Sequence, residues 1–577
     1  MRSARQLNSL TAGPFSGAAC DGPDGRPDSF TLGGELGRRL ARSLQRIAEE
    51  PPYCREYLLG QITGDPRWWA NFPRFHGDIC GRWILAATRA QAALSNRPDD
   101  LAELVAEVIT LQRPDGSFGA VAADAEPLHR EKAYGNGWML KGLCVYAEAF
   151  GDAAARASAV RLGEHYLAQA PKWVAAAEEE NATGAYAATI SCYYHGLDGV
   201  VALAKLTGEK RFRDLAASFL PHLTPLAKAD HSHMYLTIRR GVLALAELAG
   251  DRAAIGALES ELDEVWRRCA LENGGMPERF WLAPGSHADD EACTLVDWLL
   301  LTSRLHALTG AVRWAERAIL CLENQYFYNQ TYNGGFGSCE LGAVYKQQGK
   351  EAPWCCSLSG PVGLMTAPAG WVRLRNGVLE ITHLLSGTFS FRTGQVVTLE
   401  RDDAAAELRI DLSQAPAVRS VRILQPHWLE LHAAGGTCSE QRLVVARPSD
   451  GKLAVAITYR TWSATPGKAP EPTSTDDGTT TLFHGPWMLS HHHHDANGRL
   501  PVRLQRRVDG TLTGVRAVHL QGLTFAGEGL RMIVPTARAQ RSSDVFRGVD
   551  EADGEVWTYA LKDKESPNQS RVTFALQ

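Results

Sequence analysis

Cys355 and Cys356 stand side by side in Ala352-Pro353-Trp354-Cys355-Cys356-Ser357, and Glu291-Ala292-Cys293 lies about sixty residues upstream. Neighbouring cysteines pair poorly with each other, because a vicinal disulfide closes a strained ring. They can share one metal ion if the backbone turns between them. Three thiolates and a carboxylate form a four-coordinate set that suits zinc better than calcium or magnesium. The competing reading is a pair of small buried residues, which free cysteines often are. Glu291 and Cys293 are two positions apart, a poor spacing for one helix face. Both reach a single ion only if they straddle a helix start, and the acidic run Asp289-Asp290-Glu291 suits such a start. Cys339 reads as a buried or spare thiol. Glu278, with Glu272 as its neighbour in sequence, is either a turn carboxylate on the surface or an acid with work to do.

The elements that must position these groups follow from the rest of the chain. Its 577 residues exceed one core, so several domains are expected. Hydrophobic content of 45% and charged content of 22% fit a globular protein, and a net charge of −5 offers no basic stripe for nucleic acid. No run approaches the length of a membrane span, and the first residues lack the apolar stretch of a secretory signal. The 12 cysteines are scattered, unlike a disulfide framework, which points to reduced thiols and a cytoplasmic location.

Residues 1–30 are rich in Gly, Pro, Ser and Asp and are expected to form a flexible leader. Helical periodicity then runs from about Leu32 to Leu341. Breaks recur at Phe150-Gly151-Asp152, Thr207-Gly208-Glu209, Ala249-Gly250-Asp251 and Thr309-Gly310-Ala311, each with a Gly suited to end a helix. Repeated helical hairpins over this length predict a closed ring of inner and outer helices, an (α/α)6-type barrel, with an open solenoid as the runner-up. From about Gly370 the pattern becomes short alternating strands, as in Glu407-Leu408-Arg409-Ile410-Asp411-Leu412, which predicts antiparallel β-sandwiches. The expected division is a leader at 1–30, a barrel at 31–365, a sandwich at 366–465, and a second sandwich or its continuation at 466–577. His491-His492-His493-His494 reads as a solvated loop that binds metal only adventitiously.

The order of these pieces resembles glycoside hydrolase family 127, the β-L-arabinofuranosidase-like group. The resemblance rests on Gly274-Gly275-Met276-Pro277-Glu278, Glu291-Ala292-Cys293-Thr294 and Cys355-Cys356. It is extended by Gly77-Asp78-Ile79-Cys80-Gly81-Arg82-Trp83, Gln112-Arg113-Pro114-Asp115-Gly116, Leu206-Thr207-Gly208-Glu209-Lys210-Arg211-Phe212 and His484-Gly485-Pro486-Trp487. One departure stands out: the family continues Cys-Cys-Pro-Pro-Asn, whereas this chain has Cys355-Cys356-Ser357-Leu358-Ser359.

The resemblance implies a retaining glycosidase with zinc held by Glu291, Cys293, Cys355 and Cys356. Cys355 would be the nucleophile and Glu278 the acid/base. Substrate contacts would come from His195, His231, His233, Asp78, Trp83, Asn136 and Trp138. The expected substrate is a small glycoside or oligosaccharide, such as a β-L-arabinofuranoside. No nucleic-acid or membrane partner is expected, and a homodimer is left open. Competing readings are a sugar isomerase or epimerase using His195 with His231 or His233, a glycan-binding protein with structural zinc, and an inverting hydrolase pairing Glu278 with Asp78.

Overall fold

The computed structural model of the chain describes residues 15–16, 25–48, 53–65, 74–91, 101–120, 130–184, 190–271, 273–280, 288–331, 333–341, 350–464, 469–472, 479–488, 502–504, 516–519, 524–527, 530–533 and 574–576. Glu272 and the His491–His494 run lie outside them, as does most of the N-terminal stretch read as a leader. The strand Ser29–Leu32 begins at the end of that stretch and runs past it.

The helices are α1 Gly34–Ile47, α2 Arg55–Thr63, α3 Asp78–Gln91, α4 Leu101–Thr110, α5 Arg130–Phe150, α6 Ala153–Ala182 and α7 Leu197–Thr207. They continue as α8 Lys210–Phe219, α9 Ser232–Ala249, α10 Arg252–Cys269, α11 Ala292–Thr309, α12 Val312–Cys321 and α13 Cys356–Thr366. The glycine breaks behave as their chemistry requires. Gly208, Gly250 and Gly310 cap α7, α9 and α11 in the left-handed region, with φ of 73°, 68° and 73°. Asp152 and Asp251 then open the next helices, their carboxylates accepting from Ala155 N and Ala254 N.

The ring closes. α3 packs on α5, α5 on α7, α7 on α9, α9 on α11, α11 on α13, and α13 returns to α3. Outer helices α4, α6, α8, α10 and α12 each follow their inner partner, and α1 covers α13. This is the (α/α)6 barrel expected from the repeats, and the open solenoid is excluded by the α13–α3 contact. Inner helices are buried nearly all round, so they lack the strong polar face of α1. In α11, Leu295, Val296, Trp298, Leu299, Leu301 and Leu305 are all buried. Because inner and outer helices alternate in direction, the N-terminal ends of all the inner helices gather at one mouth.

A small antiparallel sheet sits there, made of Ala288–Glu291, Gly337–Leu341 and Lys350–Glu351. Beyond the barrel, two sheets form a sandwich. One runs in the order 15–16, 29–32, 387–390, 396–402, 407–411, 452–459, 429–432, and the other in the order 437–439, 442–446, 420–424, 378–381, 372–375. Strand Lys452–Tyr459 alternates exposed and buried residues, with Leu453, Val455 and Ile457 facing inward. The sandwich is antiparallel except where Ser420–Leu424 pairs in parallel with Val378–Ile381. Further short strands follow, including Thr461–Ala464 paired with Thr479–His484. Among the described residues, no helix is long and apolar enough to cross a membrane.

Candidate active site

Glu291 is the N-cap of α11, with extended backbone, and Cys293 falls in that helix's first turn. Cys355 is the N-cap of α13, and Cys356 is its first residue. Two helix N-termini thus aim at one point, where their dipoles favour negative charge. The strand ending at Glu291 is fixed from behind by Asp290. Its carboxylate accepts from Asn329 Nδ2 at 3.0 Å and from Gln325 Nε2.

The four donor atoms lie within 4.8 Å of one another. Cys355 Sγ is 3.6 Å from Cys356 Sγ, which is 3.8 Å from Cys293 Sγ. Both Cys355 Sγ and Cys356 Sγ are 3.9 Å from Glu291 Oε1. A tetrahedral zinc with Zn–S bonds of about 2.3 Å spaces its sulfurs roughly 3.8 Å apart, and the Cys355–Cys356 and Cys356–Cys293 distances match that size. Among the described residues Glu291 Oε2 is buried without a hydrogen-bond partner. Burial, the Cys293 charge and the Glu278 charge hold the Glu291 carboxyl well above the usual carboxylate range. A site that crowds negative donors in this way fits a cation. Among the sulfurs, burial opposes ionisation of Cys293, but hydrogen bonds from Cys355 and Cys356 and the charges of Arg82 and His233 outweigh it and drive its thiol down. Cys355 is pushed up chiefly by the charge-bearing Cys293, and Cys356 chiefly by burial.

Arg82 of α3 is the hub of the surrounding pocket. It is buried and pairs with Asp78 at 2.6 Å. Its Nη2 donates to Tyr134 Oη at 2.7 Å and lies 3.2 Å from His233 Nε2, and its guanidinium stacks 3.9 Å from the Trp138 ring centroid. His233 Nδ1 bonds Asp297 Oδ2 at 2.7 Å, and Arg240 Nη1 bonds the other oxygen of Asp297 at 2.8 Å. His195 lies against Tyr134 with centroids 3.9 Å apart and the rings tilted by 32°, and among the described residues its buried Nε2 has no partner. Burial and the charges of His233 and Arg82 keep His195 neutral, well below the ordinary imidazole value. His231 lies 3.8 Å from Glu291 Oε2, and burial followed by the His233 and Arg279 charges brings it down to about 3.

The structure therefore gathers Cys355, Cys356, Cys293, Glu291, His231, His233, His195, Asp78 and Trp138 around one centre. Glu278 sits on the adjoining loop. Its carbonyl accepts from Ser232 N at 2.9 Å, and the flanking residues Pro277 and Arg279 bridge to Asp290 and His231. Two of the expected substrate contacts face elsewhere. Trp83 is directed to the outer ring, where its Nε1 donates to Ile47 O at 3.2 Å. Asn136 spends its amide on backbone: Oδ1 accepts from Phe118 N at 2.8 Å, and Nδ2 donates to Phe118 O at 3.0 Å and Lys132 O at 2.9 Å. It pins a loop and offers nothing to a sugar. Cys339 belongs to the strand Gly337–Leu341 that pairs with the Glu291 strand. Arg82, Tyr134, Asp297 and Ser359 were not singled out from sequence. The one signal available was the i,i+4 spacing of Asp78 and Arg82.

This geometry meets the comparisons with known proteins. Residues 55–360 match the family model for the β-L-arabinofuranosidase GH127 catalytic domain. The chain belongs to this family of glycoside hydrolases. Among solved structures it is similar to a GH127 β-arabinofuranosidase, at 14% identity and a TM-score of 0.68, covering 90% of this chain and 96% of that one. A protein described as a glycoside hydrolase follows at 14% identity and 0.62, with the same coverage. A GH127 β-L-arabinofuranosidase from Geobacillus stearothermophilus T6 matches at 15% identity and 0.60, over 83% of this chain and 88% of that one. At these identities the likeness establishes the fold. No curated protein sequence matches the chain.

Proposed function

We propose that this chain is a retaining glycoside hydrolase that uses Cys355 as its nucleophile on a β-L-arabinofuranoside or a closely related sugar. The observation that carries the reading is the convergence of Glu291, Cys293, Cys355 and Cys356 within 4.8 Å at the barrel mouth. Those residues would hold zinc. When bound, the ion would supply the positive charge that keeps the thiols deprotonated, so Cys355 would need no separate base. Cys355 is the most accessible of the three sulfur residues, 8% exposed against 1% for each of the others.

In the first step Cys355 Sγ attacks the anomeric carbon. The glycosidic C–O bond breaks, its electron pair stays on the leaving oxygen, and Glu278 protonates that oxygen. In the second step the Glu278 carboxylate takes a proton from water. The water oxygen attacks the same carbon, and the C–S bond breaks with its pair returning to Cys355. Two inversions give net retention. Among the described residues His195, His231 and Trp138 carry buried nitrogens without partners, which suits them to receive sugar hydroxyls. The substrate is a small glycoside or oligosaccharide, and the three thiols require a reducing compartment such as the cytoplasm.

The test is hydrolysis of an aryl β-L-arabinofuranoside by wild type, Cys355→Ser and Glu278→Gln, with intact mass measured during turnover. A sugar adduct on the Cys355 peptide is expected. Full activity in Cys355→Ser would end the proposal.

A further inference from the structure

Cys293 differs from its two partner sulfurs in what touches it. One hydrogen of Arg82 Nη1 goes to Ser359 Oγ at 2.8 Å, and the same nitrogen lies 3.5 Å from Cys293 Sγ. Ser359 Oγ is also 3.5 Å from Cys293 Sγ. As a thiol Cys293 donates to that oxygen; held as a zinc thiolate it would have no hydrogen to give, and the hydroxyl, which accepts from Arg82, would turn its own hydrogen to the sulfur. As a thiolate Cys293 would thus face two donors other than sulfur, Arg82 and Ser359. Among the described residues Cys355 and Cys356 meet no nitrogen or hydroxyl donor: their neighbours are each other, Cys293 and Glu291 Oε1.

The donors are fixed independently of the sulfur. Arg82 is held by Asp78, Tyr134 and the Trp138 face, and Ser359 is on the first turn of α13. All three residues are buried, so these contacts act in a medium where charge-assisted hydrogen bonds are strong. A hydrogen bond to a thiolate draws charge from the lone pairs that would otherwise attack carbon.

We infer that Arg82 and Ser359 form a clamp that withdraws charge from Cys293 and leaves Cys355 as the reactive sulfur of the cluster. The inference rests on the zinc–thiolate reading above. It also gives a physical role to Ser359, which stands where the family's Cys-Cys-Pro-Pro-Asn run has Asn. Its short side chain fits between the Arg82 fork and the sulfur. Arg82 and Ser359 are positioning residues, since they act through Cys293.

The test needs no sugar. The full chain is loaded with cobalt, and the sulfur-to-cobalt charge-transfer band is recorded for wild type, Ser359→Ala and Arg82→Lys. Ser359→Ala removes only a hydroxyl, and Arg82→Lys keeps a cation beside Asp78. The clamp predicts that the band moves to lower energy in both variants while its intensity, which counts thiolates, is unchanged. A band at the wild-type energy in both variants overturns it. In parallel, the zinc-loaded wild type is treated with methyl iodide and its peptides are mapped. Label on Cys355 supports the clamp, and label chiefly on Cys293 overturns it. The aryl glycoside assay separates the two ideas. Turnover without these signatures removes the clamp alone, and these signatures without turnover remove the hydrolase reading alone.

Discussion

Glu278 and Glu291 are two carboxylates with different surroundings and so different tasks. Glu291 is walled in by sulfur and backed by the Asp290 network, which suits a ligand that must not move. Glu278 hangs from a loop pinned at Ser232 and Asp290, half-buried beside the pocket, which suits a group that must give and take a proton. Glu278→Gln is expected to lower turnover of a glycoside with a poor leaving group by about a hundredfold or more. It should lower turnover of an activated aryl glycoside less, and equal losses on both substrates would contradict the acid role. Glu291→Gln is expected to weaken zinc binding, read by competition with a chelator, with little change in melting of the sandwich. The cluster of Glu291, Cys293, Cys355 and Cys356 was legible in sequence because cysteine pairs and Glu-x-Cys are uncommon and their chemistry is narrow. Arg82 and Ser359 were not, because arginine and serine are common and only the meeting of α3 with α13 gives them meaning. Trp83 and Asn136 were expected at the sugar from the resemblance, and their directions are set by packing that no single-chain pattern records.

At the scale of elements, ring closure does the positioning. The helix breaks, and hence the alternation of inner and outer helices, could be read from glycines because only the left-handed cap demands them. What could not be read was how closely the inner helices cross. A Cβ added to Gly81 of α3 would collide with the backbone of Trp138 and Met139 on α5, and one added to Gly142 of α5 would collide with the Gly81 backbone in return. These contacts set the approach of the helix that carries Arg82 to the helix that carries Tyr134 and Trp138. Gly81→Ala is expected to destabilise the barrel by about 3 kcal/mol, because backbone cannot move aside as a flexible side chain does. The loss would be read as a drop in denaturation midpoint, with zinc affinity falling in the same variant. A midpoint within experimental error of wild type would show that the helices separate freely.

Across the whole molecule, barrel and sandwich are joined through the π-helical turn Leu322–Tyr326. Glu323 there accepts from Trp487 Nε1 at 3.1 Å and lies 3.3 Å from His383 Nε2 and 3.6 Å from Arg401. Asn324 Nδ2 donates to Pro486 O, and its Oδ1 accepts from Met488 N, both at 2.8 Å. Burial opposes ionisation of Glu323, but His383, Arg401 and Trp487 outweigh it and hold its carboxyl at about 2, below its ordinary 4.5. A depressed carboxyl stabilises the fold in full above pH 4.5, and that contribution is lost as pH falls towards 2. Glu323→Gln should therefore cost about 3 kcal/mol at neutral pH, and its stability should converge on that of wild type between pH 4.5 and 2. A gap that stays constant with pH would remove the ion pairs from the account. The fold as a whole gathers at one mouth donors that are far apart along the chain, and X-ray absorption at the zinc edge of the purified protein tests that most directly. The account predicts three sulfurs at about 2.3 Å and one oxygen at about 2.0–2.2 Å. A zinc shell made of nitrogen and oxygen alone, or the same spectrum from Cys355→Ser, would contradict it.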